Sequence, residues 1–351
     1  MRTAATRNRP PVFPSHPAAL RERYTRMVRS VGATDRLIRM PGGGAVHVIE
    51  SGDGPRVVHL HGNNTSSLSH LMLLERSMRV RSILVDRPGF GLSDPDVFPR
   101  RTFRHHAVHF VTEVLDELGL GAAVLVGASG GGAWALWCAL DHPERVRGLV
   151  LLGSVPLLPG SRIPVPIRII ATPALGDVLT RVLRPGPRML RHLMSEMGEG
   201  DTILRHPELF ESLIDAARDP LASAANVAEF QSLLTPFGTR ARTRVRPDDL
   251  RHLTVPTLMI WGDHDPLVPV PQARAVASLI PDAVLEVLPA GHVPQLATRS
   301  WWPSSWNGSS SHFPDRPGQS DSPSKANRSP HPAERTGGAE THPLSVIAGR
   351  H

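Results

Sequence analysis

The sequence predicts an α/β protein with a mainly parallel sheet flanked by helices. Short apolar runs with no polar alternation, such as AAVLVG at 122–127 and VRGLVLLGS at 146–154, are typical of strands buried on both faces. Stretches with helical periodicity, such as FRHHAVHFVTEVLDELGL at 103–120, lie between them. Strands that alternate with helices favour a sheet covered by helices on both sides. A chain of 351 residues that is 40% hydrophobic can bury such a core.

The first part of this core is predicted over residues 36–154. RLIRM and AVHVIE flank the turn PGGG and predict a hairpin. RVVHLHG and SILVDRPGFG each predict a strand that ends in a loop. The helix that begins in GGAWALWCALDHP is expected to stop before Pro143.

The remaining chain divides by composition. Residues 155–250 are apolar, broken by prolines and helical in pattern without strand signals, which predicts a helical insertion. Residues 251–297 return to the core pattern with two strands around a helix, and residues 1–35 predict a basic arm with one helix. Residues 298–351 are rich in Ser, Pro and Gly without periodicity, which predicts a disordered tail. Three tryptophans in that tail suggest the hypothesis of a frameshifted or foreign end.

Composition excludes several classes of partner. The net charge of +7 comes almost entirely from scattered arginines, and no basic stretch is interleaved with aromatics, so we expect no nucleic-acid partner. No apolar run reaches the roughly 18 residues of a membrane span, and the Arg- and Pro-rich first residues do not predict a secretory signal. The single cysteine, Cys138, excludes an internal disulfide and fits a cytoplasmic protein. The expected partner is a small-molecule substrate.

The glycine-rich turn VLVGASGGGAW at 124–134 allows two interpretations. GGGAWA at 130–135 matches a dinucleotide-binding pattern, but the next strand ends in Gly153 and Ser154 without the acidic residue that would hold a ribose. The same turn contains G-x-S-x-G, with Ser129 between a strand and a helix. That arrangement places a nucleophile on a sharp, strained turn, with the positive end of the helix beside it. We therefore favour the nucleophile.

A serine needs a base and an orienting carboxylate to react at neutral pH. Asp263 and Asp265 follow one predicted strand, and His292 follows the next. These residues and Ser129 lie after strand C-termini, at the edge where parallel sheets bind their ligands. The strand in VVHLHGNN ends near the same edge, so the backbone N–H groups of Asn63 and Gly130 are predicted to form the oxyanion hole.

Five segments together resemble the α/β-hydrolase superfamily, in order and spacing, from about residue 36 to 297: HLHGNN, DRPGFGLSD, GASGG, WGDHDPLVP and AGHVPQL. The resemblance implies Ser129 as nucleophile, Asp265 rather than Asp263 as the acid, and His292 as base. It also implies that residues 155–250 form a cap over the site and that no cofactor or metal is needed. The segment HGNNTSS resembles the same loop of haloalkane dehalogenases and epoxide hydrolases. Those enzymes have an aspartate at the nucleophile position, so Ser129 argues against both.

Other polar residues favour structural roles. Asp86 follows a strand but stands in a turn that is usually structural. His59 and His61 form an H-x-H pair without the further ligands that zinc requires. His105 and His109 could chelate a metal at helical spacing, although a solvated helix face is the simpler interpretation.

The predicted function is hydrolysis of an ester-like or other acyl bond of a small hydrophobic substrate. Two alternatives remain open: C–C bond hydrolysis with the same triad, and a catalytically impaired protein of this fold. The oligomeric state is not predicted.

Overall fold

The computed structural model describes residues 16–74, 80–153, 155, 157–182 and 185–296. The predicted tail and the first 15 residues of the predicted arm lie outside these ranges. The larger sheet consists of β1 (Thr34–Arg39), β2 (Ala45–Ser51), β3 (Arg56–Leu60), β4 (Arg81–Val85), β5 (Ala123–Ala128), β6 (Val146–Leu152), β9 (Thr257–Gly262) and β10 (Ala283–Leu288). A small hairpin consists of β7 (Leu234–Thr235) and β8 (Gly238–Thr239).

The strands of the larger sheet are ordered β1-β2-β4-β3-β5-β6-β9-β10. The β1–β2 and β2–β4 pairs are antiparallel, and all other neighbours are parallel. The predicted fold class and the predicted hairpin at PGGG are thus confirmed. Because the parallel strands share one direction, the loops after β3, β4, β5, β9 and β10 meet at one edge of the sheet.

The helices that flank the sheet are α1 (Ala18–Ser30), α2 (Leu71–Leu74), α3 (Phe103–Glu117), α4 (Gly130–Asp141), α11 (Pro247–Arg251) and α12 (Val270–Ala277). Helix α4 is apolar on all sides, and Trp134, Trp137 and Cys138 are fully buried. A helix of this kind belongs inside a core. It packs against β5, β6 and α3, directly behind the turn that carries Ser129.

The helices of the insertion in the described residues are α5 (Val165–Ile170), α6 (Leu175–Val182), α7 (Pro187–Glu196), α8 (Gly200–Leu204), α9 (Pro207–Arg218) and α10 (Pro220–Leu233), and α11 begins at its end. Prolines at the first or second position of α5, α7, α9 and α10 explain where these helices begin. The N–H groups of a first helical turn have no partner inside the helix, so proline, which has no N–H, loses no hydrogen bond there. The β7–β8 hairpin is a departure from the strand-free insertion that the sequence predicts. Its strands have only two residues each, too few to give a periodic signal.

The helix predicted in residues 1–35 is α1, and it packs against the sheet. Leu20, Tyr24 and Val28 are buried in one cluster with Ile49 and Leu84 of the sheet. On its other side, Arg23 forms an ion pair with Asp215 of α9. The helix therefore joins the core to the insertion. Among the described residues, no helix combines the length and apolar character needed to cross a bilayer.

Candidate active site

Ser129 lies on a strained turn between β5 and α4. Its backbone has φ 47° and ψ −114°, a left-handed conformation that non-glycine residues rarely adopt. Gly127 and Gly131 make the turn possible because neighbouring backbone lies against both. A Cβ at Gly127 would lie 2.5 Å from the Gly132 Cα, and a Cβ at Gly131 would lie 2.2 Å from the Leu60 carbonyl oxygen. The strain holds the Ser129 side chain at the edge of the sheet, as the G-x-S-x-G pattern predicts.

A continuous chain of hydrogen bonds starts at this serine. The Ser129 Oγ lies 3.0 Å from His292 Nε2. The other ring nitrogen, Nδ1, lies 3.1 Å from Asp265 Oδ2. The Asp265 side chain is fully buried, and that of His292 is 11% exposed. The structure therefore brings the three residues together in the order in which a nucleophile, a base and a carboxylate act.

The structure also separates the two candidate carboxylates. Asp265 Oδ1 accepts the N–H of Leu267 at 2.9 Å, which aims the other oxygen at His292. Asp263 is exposed and accepts from the N–H of Ala290 at 3.1 Å. Asp263 therefore contacts the backbone of the loop that carries His292, whereas Asp265 contacts the imidazole itself.

The loop after β3 lies against the serine. A Cβ at Gly62 would lie 3.3 Å from the Ser129 Cβ, and the Asn63 side-chain oxygen lies directly over Gly130. Asn63 and Gly130 are thus adjacent beside the nucleophile. The Asn63 side-chain amide is engaged elsewhere, since its nitrogen donates to Glu229 Oε2 at 2.8 Å. The side-chain amide is thus held by Glu229, and the backbone N–H of Asn63 stays a candidate oxyanion donor beside that of Gly130.

His61 supports that loop. Its Nδ1 contacts the Gly62 carbonyl at 2.7 Å, and its Nε2 accepts the N–H of Arg87 at 3.0 Å. Burial lowers the pKa of His61 to about 3, so the ring is neutral and can donate through one nitrogen while accepting through the other. These contacts make His61 a structural support of the loop rather than a metal ligand.

A buried carboxylate from the insertion joins this side of the site. Glu229 of α10 accepts from Arg87 Nη1 at 2.6 Å and from Trp134 Nε1 at 2.9 Å, in addition to Asn63. The side chains of Glu229 and Arg87 are both 0% exposed. Arg87 also donates to the Gly62 carbonyl at 3.0 Å. Glu229 therefore ties the insertion, the loop after β3 and the helix behind Ser129 into one network.

A second buried carboxylate holds the opposite side. Glu199, between α7 and α8, accepts the N–H of Val293 at 2.8 Å through Oε1. The N–H of His292 donates to the Met197 carbonyl at 2.8 Å. Burial raises the pKa of Glu199 to about 7, against the lowering effect of the hydrogen bonds from Val293 and Thr202 and of the nearby His292. The insertion thus fixes the backbone on which His292 stands.

Glu199 should make stability depend on pH. Its pKa in the folded protein lies above the ordinary value of 4.5, so the native state holds this proton more tightly than the unfolded chain. Stability is then lost as the pH rises through about 4.5 to about 7. Glu199→Gln cannot ionise and escapes this loss. Thermal denaturation at about pH 5 and about pH 8 should show the variant gaining a few degrees in Tm relative to wild type at the higher pH.

Glu196→Gln is the matched control, because Glu196 lies three residues earlier and is exposed. Its Tm difference from wild type should be the same at both pH values. An equal Tm difference for Glu199→Gln at both pH values would show that Glu199 does not titrate in this range.

Asp86 and the two histidines of α3 have structural surroundings. Asp86 is buried and accepts from Tyr24, Ser67, Leu92 and His47. Burial opposes its ionisation, but the hydrogen bond and charge of His47 lower the pKa of Asp86. His105 and His109 stack on each other on α3, and no group of three or more metal-ligating side chains occurs among the described residues.

The chain belongs to the alpha/beta hydrolase family, whose family model matches residues 57–301. A 2-hydroxy-6-oxononadienedioate/2-hydroxy-6-oxononatrienedioate hydrolase of a Pseudomonas species is 30% identical over 257 residues, which cover 70% of this chain and 83% of that protein. Haloalkane dehalogenase 2 of Mycobacterium tuberculosis is 28% identical over 268 residues, covering 70% and 84%. The chain is therefore a hydrolase.

Among solved structures, a carboxylesterase from Bacillus subtilis superposes with a TM-score of 0.59 at 21% identity. The superposition covers 79% of this chain and 92% of the esterase. At that identity the likeness concerns the fold, which the sequence motifs predict.

Sequence reasoning did not identify Glu199 or Glu229. Both lie in the helical insertion, where a glutamate fits a solvated helix face as well as a buried site. The one available signal for Glu229 is its place in the largely apolar stretch PLASAANVAEFQSL of α10. A charge in such a stretch is costly to bury unless it has partners.

Proposed function

We propose that this protein is a serine hydrolase that cleaves an ester or other acyl bond of a small hydrophobic substrate. The observation that carries the proposal is the hydrogen-bonded chain from Ser129 through His292 to Asp265. In a strained elbow of this kind the serine serves as nucleophile, the imidazole as base and the buried carboxylate as its orienting partner.

The reaction proceeds in two halves. The Ser129 Oγ attacks the substrate carbonyl carbon while its proton passes to His292 Nε2. The backbone N–H groups of Asn63 and Gly130 stabilise the oxyanion. The intermediate collapses, the leaving alcohol takes the proton from His292, and an acyl-enzyme remains. Water, deprotonated by His292, then attacks the acyl carbon, releases the carboxylic acid and restores Ser129, so the cycle needs no cofactor.

The hydrophobic character of the substrate rests on the surroundings of the base. Val293, directly after His292, packs with Met72 and Leu296 of the core and with Leu190 and Phe210 of the insertion. This apolar cluster directly beside the base supports the proposal of an acyl or alcohol group without charge. The cytoplasmic location stays a prediction from the single cysteine.

C–C bond hydrolysis is the second candidate, and the relative from Pseudomonas favours it. The substrate named for that protein is a dicarboxylate, which requires cationic groups at the site. The charge of Arg87, the buried arginine that contacts the loop after β3, is already neutralised by Glu229. This pairing favours the uncharged ester over the dienedioate.

Hydrolysis of p-nitrophenyl esters from acetate to octanoate, beside Ser129→Ala, tests the proposal. Turnover that the variant loses supports the serine mechanism, and its dependence on chain length measures the size of the acyl pocket. A 2-hydroxy-6-oxo-dienoate assayed in parallel distinguishes the second candidate. A folded, monodisperse protein that turns over the dienoate but no ester would contradict the esterase proposal.

A further inference from the structure

Exposed apolar side chains are concentrated on one part of the insertion. Helix α5 exposes Val165 and Ile169 at spacing i, i+4, and α6 exposes Leu175, Val178 and Val182 at spacing i, i+3, i+7. Each set therefore forms a stripe on one helix face. Phe237, in the turn between β7 and β8, is 94% exposed. Apolar clusters that remain in solvent commonly mark a surface that meets another body.

These elements form one surface, which we call the cap surface. Helices α5 and α6 pack against each other, and both pack against α10, which leads directly into β7. Arg168 of α5 donates through Nε to the Pro236 carbonyl at 2.8 Å, next to Phe237. The two helical stripes and the phenylalanine are therefore held by the same neighbours.

The charges around the cap surface are almost all positive. Five arginines lie in or next to these elements along the chain, two at α5 and three after the β7–β8 hairpin: Arg162, Arg168, Arg240, Arg242 and Arg244. The only carboxylate among the described residues 162–182 and 234–246 is Asp177. Asp177 is half-buried and accepts from Gln231 at 3.0 Å and from the Ala174 N–H at 3.2 Å. Within these two ranges the charged side chains are therefore mainly cationic.

We propose that the cap surface docks on an anionic lipid bilayer. Phe237 and the apolar stripes enter the region between headgroups and acyl chains, and the arginines contact lipid phosphates. An apolar face bordered by arginines is the combination that binds such interfaces. A second copy of the chain fits less well, because a symmetric contact would place this arginine border against itself. The hydrolase would then work at a membrane surface.

Flotation of the full chain with vesicles tests this proposal without any assay of activity. The protein should float with vesicles of phosphatidylcholine and phosphatidylglycerol and not with phosphatidylcholine alone. Phe237→Asp and the double variant Arg242→Glu, Arg244→Glu should each lower the bound fraction roughly tenfold or more. These side chains are exposed, so the variants should fold, which thermal denaturation checks.

Matched controls are available elsewhere on the surface. Val97 is 81% exposed outside the insertion, so Val97→Asp should leave binding unchanged. Arg29→Glu, Arg39→Glu reverses the same amount of charge at exposed sites on α1 and β1 and should have a smaller effect. Absence of flotation in the wild type, or equal losses in the controls, would overturn the proposal. So would a dimer seen by light scattering that Phe237→Asp dissociates while no vesicle is bound.

Discussion

The single variants Ser129→Ala and His292→Ala should each lower kcat for an ester substrate by roughly 10⁴- to 10⁶-fold, and the double variant should have no lower kcat than either. The two side chains act through a single hydrogen bond of 3.0 Å, so the serine without its base is as inert as the base without its serine. KM should change little, because neither residue contributes mainly to ground-state binding.

The two aspartates provide a sharper form of the same experiment. Asp265→Asn should lower kcat by roughly 10⁴-fold, because the amide no longer holds the imidazole in the required tautomer. Asp263→Asn is the matched control and should stay within a few-fold of wild type, since Asp263 contacts the Ala290 backbone and His264 rather than the base. An equal loss in both variants would contradict the assignment of the carboxylate.

Glu229→Ala should have the largest effect on stability. It leaves the guanidinium of Arg87 fully buried without a carboxylate partner and removes the acceptor for Trp134 and Asn63. Breaking a buried ion pair from one side costs about 3–5 kcal/mol, a large share of the stability of an ordinary domain. Denaturant unfolding should therefore show a much lower midpoint.

A second variant separates the lost charge from the lost packing. Arg87→Met with Glu229→Leu removes both charges and fills similar volumes, and it should recover a substantial part of the stability that Glu229→Ala loses. Glu211→Ala, at an exposed position of α9, should cost less than about 1 kcal/mol. A Glu229→Ala protein as stable as the Glu211→Ala control would show that this network contributes little.

The parts of the fold that the sequence predicts are those with strong local patterns. The apolar runs of β5, β6 and β9 are typical of buried strands. The order of motifs along the chain places Ser129, Asp265 and His292 at strand ends of the same edge. The choice between Asp263 and Asp265 came from the family resemblance, and the contact between Asp265 and His292 agrees with it.

The insertion is less predictable for a physical reason. Its helices are short, several begin at prolines, and their packing partners lie far away in the chain. Glu229 contacts Asn63 across 166 positions and Arg87 across 142, so no local pattern announces either contact. The same holds for Glu199, whose partner Val293 is 94 positions away.

The central claim is that Ser129 attacks the substrate and carries the acyl group. Mass spectrometry after brief mixing with p-nitrophenyl acetate, with a fluorophosphonate as a second probe, tests it most directly. We predict one added group, located on the peptide that contains Ser129, absent from Ser129→Ala and formed far more slowly by His292→Ala. A folded protein that hydrolyses the ester with the group on another residue, or that never reacts with either probe, would contradict the account.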